Sequence, residues 1–127
     1  MAAKEYSIEF LFKALADRTR LRVIHLIGDD EVCVCFFVEV LKTNQPKISR
    51  HLAYLRRAGL VSTRRDGKWM HYSLRPPTDK HAADVFDATL KMLESDKQMK
   101  EDRKALRNFC CSPDAPVMIQ GRAKATT

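Results

Sequence analysis

Residues 43–75 read TNQPKISRHLAYLRRAGLVSTRRDGKWMHYSLR, and the fold turns on this stretch. The Thr43-Asn44-Gln45-Pro46 turn opens a helix, because proline is tolerated in a helix's first turn. At about 100° per residue, Ile48, Leu52 and Leu55 share one face and must point inward. Lys47, Arg50, Tyr54 and Arg57 then point outward, Gln45 and Pro46 sit at the N-terminal tip, and Ser49 and His51 lie on the flanks. Gly59 offers a left-handed end to this helix and Leu60 the apolar residue that usually follows. Two short strands come next, about residues 61–65 and 69–74. They are joined at Asp66-Gly67, a strong hairpin signal because both residue types accept positive φ.

Upstream, residues 6–16 read as a first helix with Ile8, Phe12 and Leu15 at helical spacing. Asp17 caps a second, which carries Leu21, Ile24, Leu26 and Ile27 and ends at Gly28. Asp29 or Asp30 caps a third that runs to about Lys42. Downstream, Pro76-Pro77 breaks the chain. Thr78 or Asp79 then caps a last helix with Ala82, Val85, Phe86, Leu90 and Leu93 on one face, extending to about Asn108. Residues 112–127 have little to bury and are expected to be disordered.

The order predicts a mostly α fold with a small β-hairpin wing, a winged helix-turn-helix, over residues 1–109. Residues 110–127 hold a cysteine pair and the tail. One small sheet gives too thin a core to hide both terminal helices, so a dimer through the first and last helices is expected, with two-fold symmetry.

Charge locates the expected partner. The chain carries a formal +7, yet Lys42 to Arg75 alone hold nine Lys or Arg against one acid, Asp66. The rest of the chain is therefore close to neutral. A basic block of this kind is the footprint of nucleic-acid binding. The outward face of the 43–58 helix suits a major groove, where Gln45 can pair with adenine and an arginine such as Arg50 with guanine. Its N-terminal amides can hold a phosphate. Arg64, Arg65 and Lys68 at the hairpin tip suit a phosphate backbone or a minor groove. Trp69 and Tyr72 are expected to pack the wing against the body, and His51 is read equally as a phosphate contact or a surface residue.

No apolar run approaches the roughly 20 residues of a membrane span. The longest, Val32 to Val38, has seven residues. The N-terminus, with Lys4, Glu5 and Glu9, does not read as a signal peptide, so a cytoplasmic protein with reduced thiols is expected. The four cysteines fall in two close pairs, Cys33/Cys35 and Cys110/Cys111, a usage that points to metal binding or redox chemistry. No phosphate loop, metal-plus-carboxylate motif or Ser/His/Asp set points to an enzyme.

Residues 12–27 (FKALADRTRLRVIHLI), 31–61 (EVCVCFFVEVLKTNQPKISRHLAYLRRAGLV) and 64–74 (RRDGKWMHYSL) together resemble the ArsR/SmtB metal-sensing repressors. The match covers about residues 8–75 in the right order. It implies a homodimer that binds double-stranded operator DNA and represses a resistance operon until an inducer binds. The Cys33-Val34-Cys35 motif resembles the arsenic-sensing subgroup, which implies arsenite, antimonite or a trivalent organoarsenical as inducer and no permanent cofactor.

The sequence departs from that pattern. The subgroup's motif usually has a third cysteine where Val38 stands. Adjacent cysteines after the last helix recur in some members, again with a third further on, and Ser112 to Thr127 contain none. Each pair is one thiol short. The pairs combine within or across chains, or either takes a two-coordinate arsenical, or each accepts a small third ligand. A zinc site on the last helix is not expected, since only Asp79-Lys80-His81 matches and Met92 and Ser95 stand where its other half belongs. His25 and His71 show no ligand spacing and are read as structural.

Cys33 and Cys35 are expected at the start of the third helix, where i, i+2 spacing turns them to roughly opposite sides, so binding is expected to deform that first turn. They converge only where the helix start is frayed or unwound. A redox- or persulfide-sensing repressor on the same scaffold is the alternative function. A thiol reductase or metal carrier is a distant one.

Overall fold

The computed structural model describes residues 8–110, except for the Cys110 side chain. The elements run α1 (Ile8–Leu15), α2 (Arg18–Ile27), β1 (Val32–Cys33), α3 (Val34–Leu41), α4 (Gln45–Arg57), β2 (Val61–Asp66), β3 (Trp69–Leu74), α5 (Lys80–Leu93) and α6 (Lys97–Cys110). Cys111 and the tail lie outside the described residues, as does the expectation of disorder there.

Helices start where a polar side chain satisfies their first free amides. Asp17 accepts from the Arg20 N–H at 3.0 Å, Asn44 from Lys47 at 3.0 Å and Asp79 from Ala82 at 2.9 Å. Gly28 ends α2 at φ +53, with its N–H bonded to the Ile24 carbonyl. Asp66 pairs with Trp69, so the hairpin turns on Gly67 (φ +63) and Lys68, one residue later than the sequence suggested.

Two larger differences from the sequence reading bear on the site. The third helix does not start at Asp29 or Asp30. Val32 and Cys33 instead form a short strand antiparallel to β3, with Val32 opposite Tyr72 and Cys33 opposite His71, giving the sheet order β1-β3-β2. The pairing supplies β3's second edge with backbone partners and buries Val32 and Cys33 completely. Helix α3 begins only at Val34, with Cys33 as its extended N-cap at φ −78, ψ 151.

The last helix is also not continuous. It breaks at Glu94-Ser95-Asp96, where Asp96 accepts from the Met99 N–H and receives both guanidinium arms of Arg18 at 2.7 and 3.0 Å. The break lets α6 fold back on α2 and α3 and bury Met99 and Leu106.

The core is closed by Val23, Ile24, Leu26 and Ile27 of α2, Phe36 and Phe37 of α3, and Ile48, Leu52 and Leu55 of α4; spacing predicted the three of α4 and Ile24, Leu26 and Ile27 of α2, whereas Leu21 is only partly buried. Trp69 and Tyr72 pack against it, fixing the wing to the body. Helix α1 turns Leu11 and Ala14 inward and leaves Ile8 and Phe12 67% and 51% exposed; Met92 on α5 is 67% exposed. No described helix is long and apolar enough to cross a membrane.

One ion pair ties α6 down. Asp102 is 3% exposed and accepts from Arg22 Nε and Nη2 at 2.7 and 2.8 Å and from Gln98 at 2.9 Å. Removing one partner of a buried pair leaves the other uncompensated. Asp102→Ala is expected to lower unfolding free energy by about 3 kcal/mol, measured by denaturant titration. Asp84→Ala, at an exposed i, i+4 pair with Lys80, is expected to change it by less than about 0.5 kcal/mol. Equal effects would contradict the assignment.

Candidate nucleic-acid interface and thiol site

The front of α4 is what its 3.6-residue period requires. With Ile48, Leu52 and Leu55 buried, Gln45, Lys47, Ser49, Arg50 and Arg57 are exposed. Lys47, Arg50 and His51 line an open groove with Thr19 and Arg22 of α2 and the α3–α4 turn. Cationic and amide side chains on one exposed helix can meet phosphates and base edges together.

Two residues of this set face the body. Tyr54, expected on the outer face, stands edge-on to Phe10 at 4.8 Å, with the Arg20 guanidinium 4.2 Å above its ring. Helix α1 supplies an aromatic partner that a single helix's period cannot reveal. His51 is half-buried, 3.3 Å from Arg20 Nη1 and 3.9 Å from Asp17. Burial holds its imidazole below the ordinary histidine value; Asp17 opposes this, and Arg20 and Arg50 add to it. His51 therefore serves the junction of α2 and α4 as well as facing the groove.

At the wing, Arg65 and Lys68 are exposed. Arg64 is not a free cation. Its Nε and Nη2 hold the Glu31 carboxylate at 2.7 to 3.0 Å, and these bonds depress the Glu31 carboxyl below its usual range. Glu31 was missed in the sequence because its partner lies 33 residues away.

The cysteine geometry corrects the helical reading. Cys33 lies in β1 and Cys35 in the first turn of α3, so the chain bends between them. The Cys35 thiol donates to Cys33 Sγ at 3.3 Å. That bond lowers the Cys33 thiol to about 7, against the opposing effect of burial, with backbone amides of Cys35, Val34 and Met70 assisting. The Cys35 thiol is pushed up as the donor of the same bond. Two sulfurs at this spacing can grip one soft centre without unwinding a helix. Among the described residues no three His, Cys, Asp or Glu stand close enough to share a metal ion. Cys110 ends α6, and its neighbour Phe109 packs edge-on against Phe36 at 5.1 Å, next to Cys35. The Cys110 side chain and Cys111 lie outside the described residues.

The profile of "Bacterial regulatory protein, arsR family" matches residues 17–63, which span α2, the cysteine motif, α4 and the start of β2. The "Arsenical resistance operon repressor" of Escherichia coli (strain K12) is 44% identical over 101 residues, covering 79% of this chain and 86% of that protein. The "Arsenic resistance transcriptional regulator ArsR1" of Pseudomonas putida is 45% identical over 91 residues, covering 68% and 71%. A homodimeric winged helix-turn-helix DNA-binding domain from Mycobacterium bovis superposes with a TM-score of 0.57 at 24% identity, covering 71% of this chain and 81% of that one, which speaks to the fold alone. With the exposed basic α4 and wing, these similarities settle the class: the chain belongs to the arsR family of bacterial regulatory proteins, and it is a DNA-binding transcriptional regulator, not an enzyme.

Proposed function

We propose that the protein represses transcription by binding operator DNA as a homodimer, and releases it when a trivalent arsenic or antimony compound bonds to Cys33 and Cys35. The observation that carries this reading is the 3.3 Å contact between the two sulfurs, one of them a thiol lowered to about 7. Thiolates select soft centres, and relatives of this chain are named an arsenical resistance operon repressor and an arsenic resistance transcriptional regulator. Arsenous acid reacts with two thiols by forming two As–S bonds; two of its hydroxyls leave as water with the thiol protons.

The site is tied to the DNA surface through the sheet. Cys33 is paired to β3, and β3 with β2 is the wing. Glu31, two residues before Cys33, grips Arg64 on that wing. A metalloid that shifts β1 therefore moves Arg64 directly. Ile8 and Phe12, one helical turn apart on α1, form an exposed apolar pair that a second copy would cover.

The DNA surface has an electrostatic test. Affinity for operator DNA falls with salt, with a log–log slope near −0.9 per phosphate neutralised. Arg65→Ala flattens the slope by about one unit. Arg64→Ala flattens it by less, because Glu31 already balances part of its charge. Arg50→Ala relaxes base preference rather than the slope alone. A salt-independent affinity would contradict the assignment.

The thiols have their own. Cys33→Ser/Cys35→Ser is nearly isosteric and lies outside the basic surface, so it retains operator binding within about threefold and loses arsenite-induced release. A typical coupling of about 1–3 kcal/mol gives the native protein about 5- to 150-fold release. Fluorescence anisotropy of labelled operator measures both. If the double variant still releases DNA with arsenite, the inducer site lies elsewhere; if peroxide or polysulfide but not arsenite releases the native protein, the redox reading replaces this one.

A further inference from the structure

His71 was read from the sequence as structural because no ligand stands at a regular spacing from it. Its place in the sheet gives it a different role. His71 is completely buried, and neither ring nitrogen has a hydrogen-bond partner among the described residues. A buried imidazole without a partner forfeits the hydrogen bonds it makes in water. It stands directly opposite Cys33 in the β1–β3 pair. Directly opposed residues in an antiparallel pair project from the same face with Cβ atoms about 5 Å apart. A polar group with unused hydrogen-bonding capacity thus shares a face with the sulfur of the metalloid pair.

The two-thiol count says what that capacity is for. With two thiols as its protein ligands, arsenous acid bound to Cys33 and Cys35 keeps one hydroxyl, as (RS)2As–OH. Methylarsonous acid, CH3As(OH)2, forms the same two As–S bonds, loses both hydroxyls as water and presents only a methyl group. The described residues bring no third Cys, His, Asp or Glu within shared metal-binding distance of the pair. A nitrogen set beyond bonding distance from arsenic can still meet a hydroxyl carried on it.

We infer that His71 is the third arm of the inducer site: it hydrogen-bonds the hydroxyl that a two-thiolate-bound arsenic or antimony retains, and so favours the inorganic hydroxides over monosubstituted organoarsenicals. This rests on the cysteine reading above and adds its substrate class. It also places a bound inducer in contact with the middle strand of the sheet, where Arg64 is His71's neighbour on the opposite side from Cys33.

The test measures dissociation constants of the full-length, reduced protein for sodium arsenite and for methylarsonous acid by equilibrium dialysis with arsenic detection. Fluorescence of the single tryptophan, Trp69, two residues from His71, gives an independent readout. His71→Leu, an apolar substitution suited to a buried position, is expected to weaken arsenite binding about tenfold and leave methylarsonous acid within about threefold. Tenfold corresponds to about 1.4 kcal/mol, within the range of one buried hydrogen bond. His71→Gln, which keeps a donor, is expected to recover much of the arsenite preference, and Cys110→Ser/Cys111→Ser to leave both constants unchanged. Equal weakening of the two ligands in a folded His71→Leu protein would reduce His71 to a structural role and overturn the inference, as would no change in either. A selective loss of arsenite binding in the Cys110/Cys111 variant would overturn it by giving the third place to a thiol. If neither compound binds the native protein in a Cys33- and Cys35-dependent way, the cysteine reading itself fails and this inference with it.

Discussion

The two-residue pairing of Val32 and Cys33 with Tyr72 and His71 is the contact on which the rest of the molecule's arrangement depends. It consumes the free edge of the wing and ends β1 one residue before α3. Cys33 is thereby held in extended backbone while Cys35 is already helical. Had both cysteines been helical, their sulfurs would point apart. Because the chain bends between them, the sulfurs touch at 3.3 Å, and the donated hydrogen bond keeps one thiol close to neutral in its titration. The same pairing buries His71 and sets Glu31 against Arg64. Thiol pair, orphan imidazole and wing arginine pair are all placed by one short strand.

This arrangement relocates the coupling. Sequence geometry alone called for a helix start that unwinds when thiolates converge. In the structure convergence requires no unwinding, so under the proposed function a ligand would act by shifting or stiffening β1 against β3. The sheet is the short route to the wing, since β3 carries Cys33's partner on one side and Arg64 on the other. Both basic surfaces are also rooted in the core: α4 by Ile48, Leu52 and Leu55, the wing by Trp69 and Tyr72. Backbone hydrogen bonds thus link β1 to the wing, the route by which the proposed release would reach it.

Most of the fold was legible because it is written in local chemistry. Asp17, Asn44, Asp79, Gly28 and Gly59 mark helix ends by caps and backbone conformation that require no knowledge of distant residues. The inward face of α4 follows from period alone. What was not legible is non-local. A strand as short as β1 has no periodicity, and its apolar flanks VCVCFFV read equally well as helix. The break between α5 and α6 has a local sign, Asp96 as an N-cap, but its reason is a partner 78 residues away, Arg18. Within the site, the cysteines and basic residues stood out by type and spacing. Glu31's hold on Arg64, Tyr54's turn toward Phe10 and His71's place beside Cys33 depend on sheet register and on helix packing.

The most direct test of the account is X-ray absorption at the arsenic edge of the native, reduced protein loaded with one equivalent of arsenite. Two thiolates and a retained hydroxyl predict a first shell of two sulfurs and one oxygen, unchanged in Cys110→Ser/Cys111→Ser. A shell of three sulfurs, or one without sulfur, would contradict it.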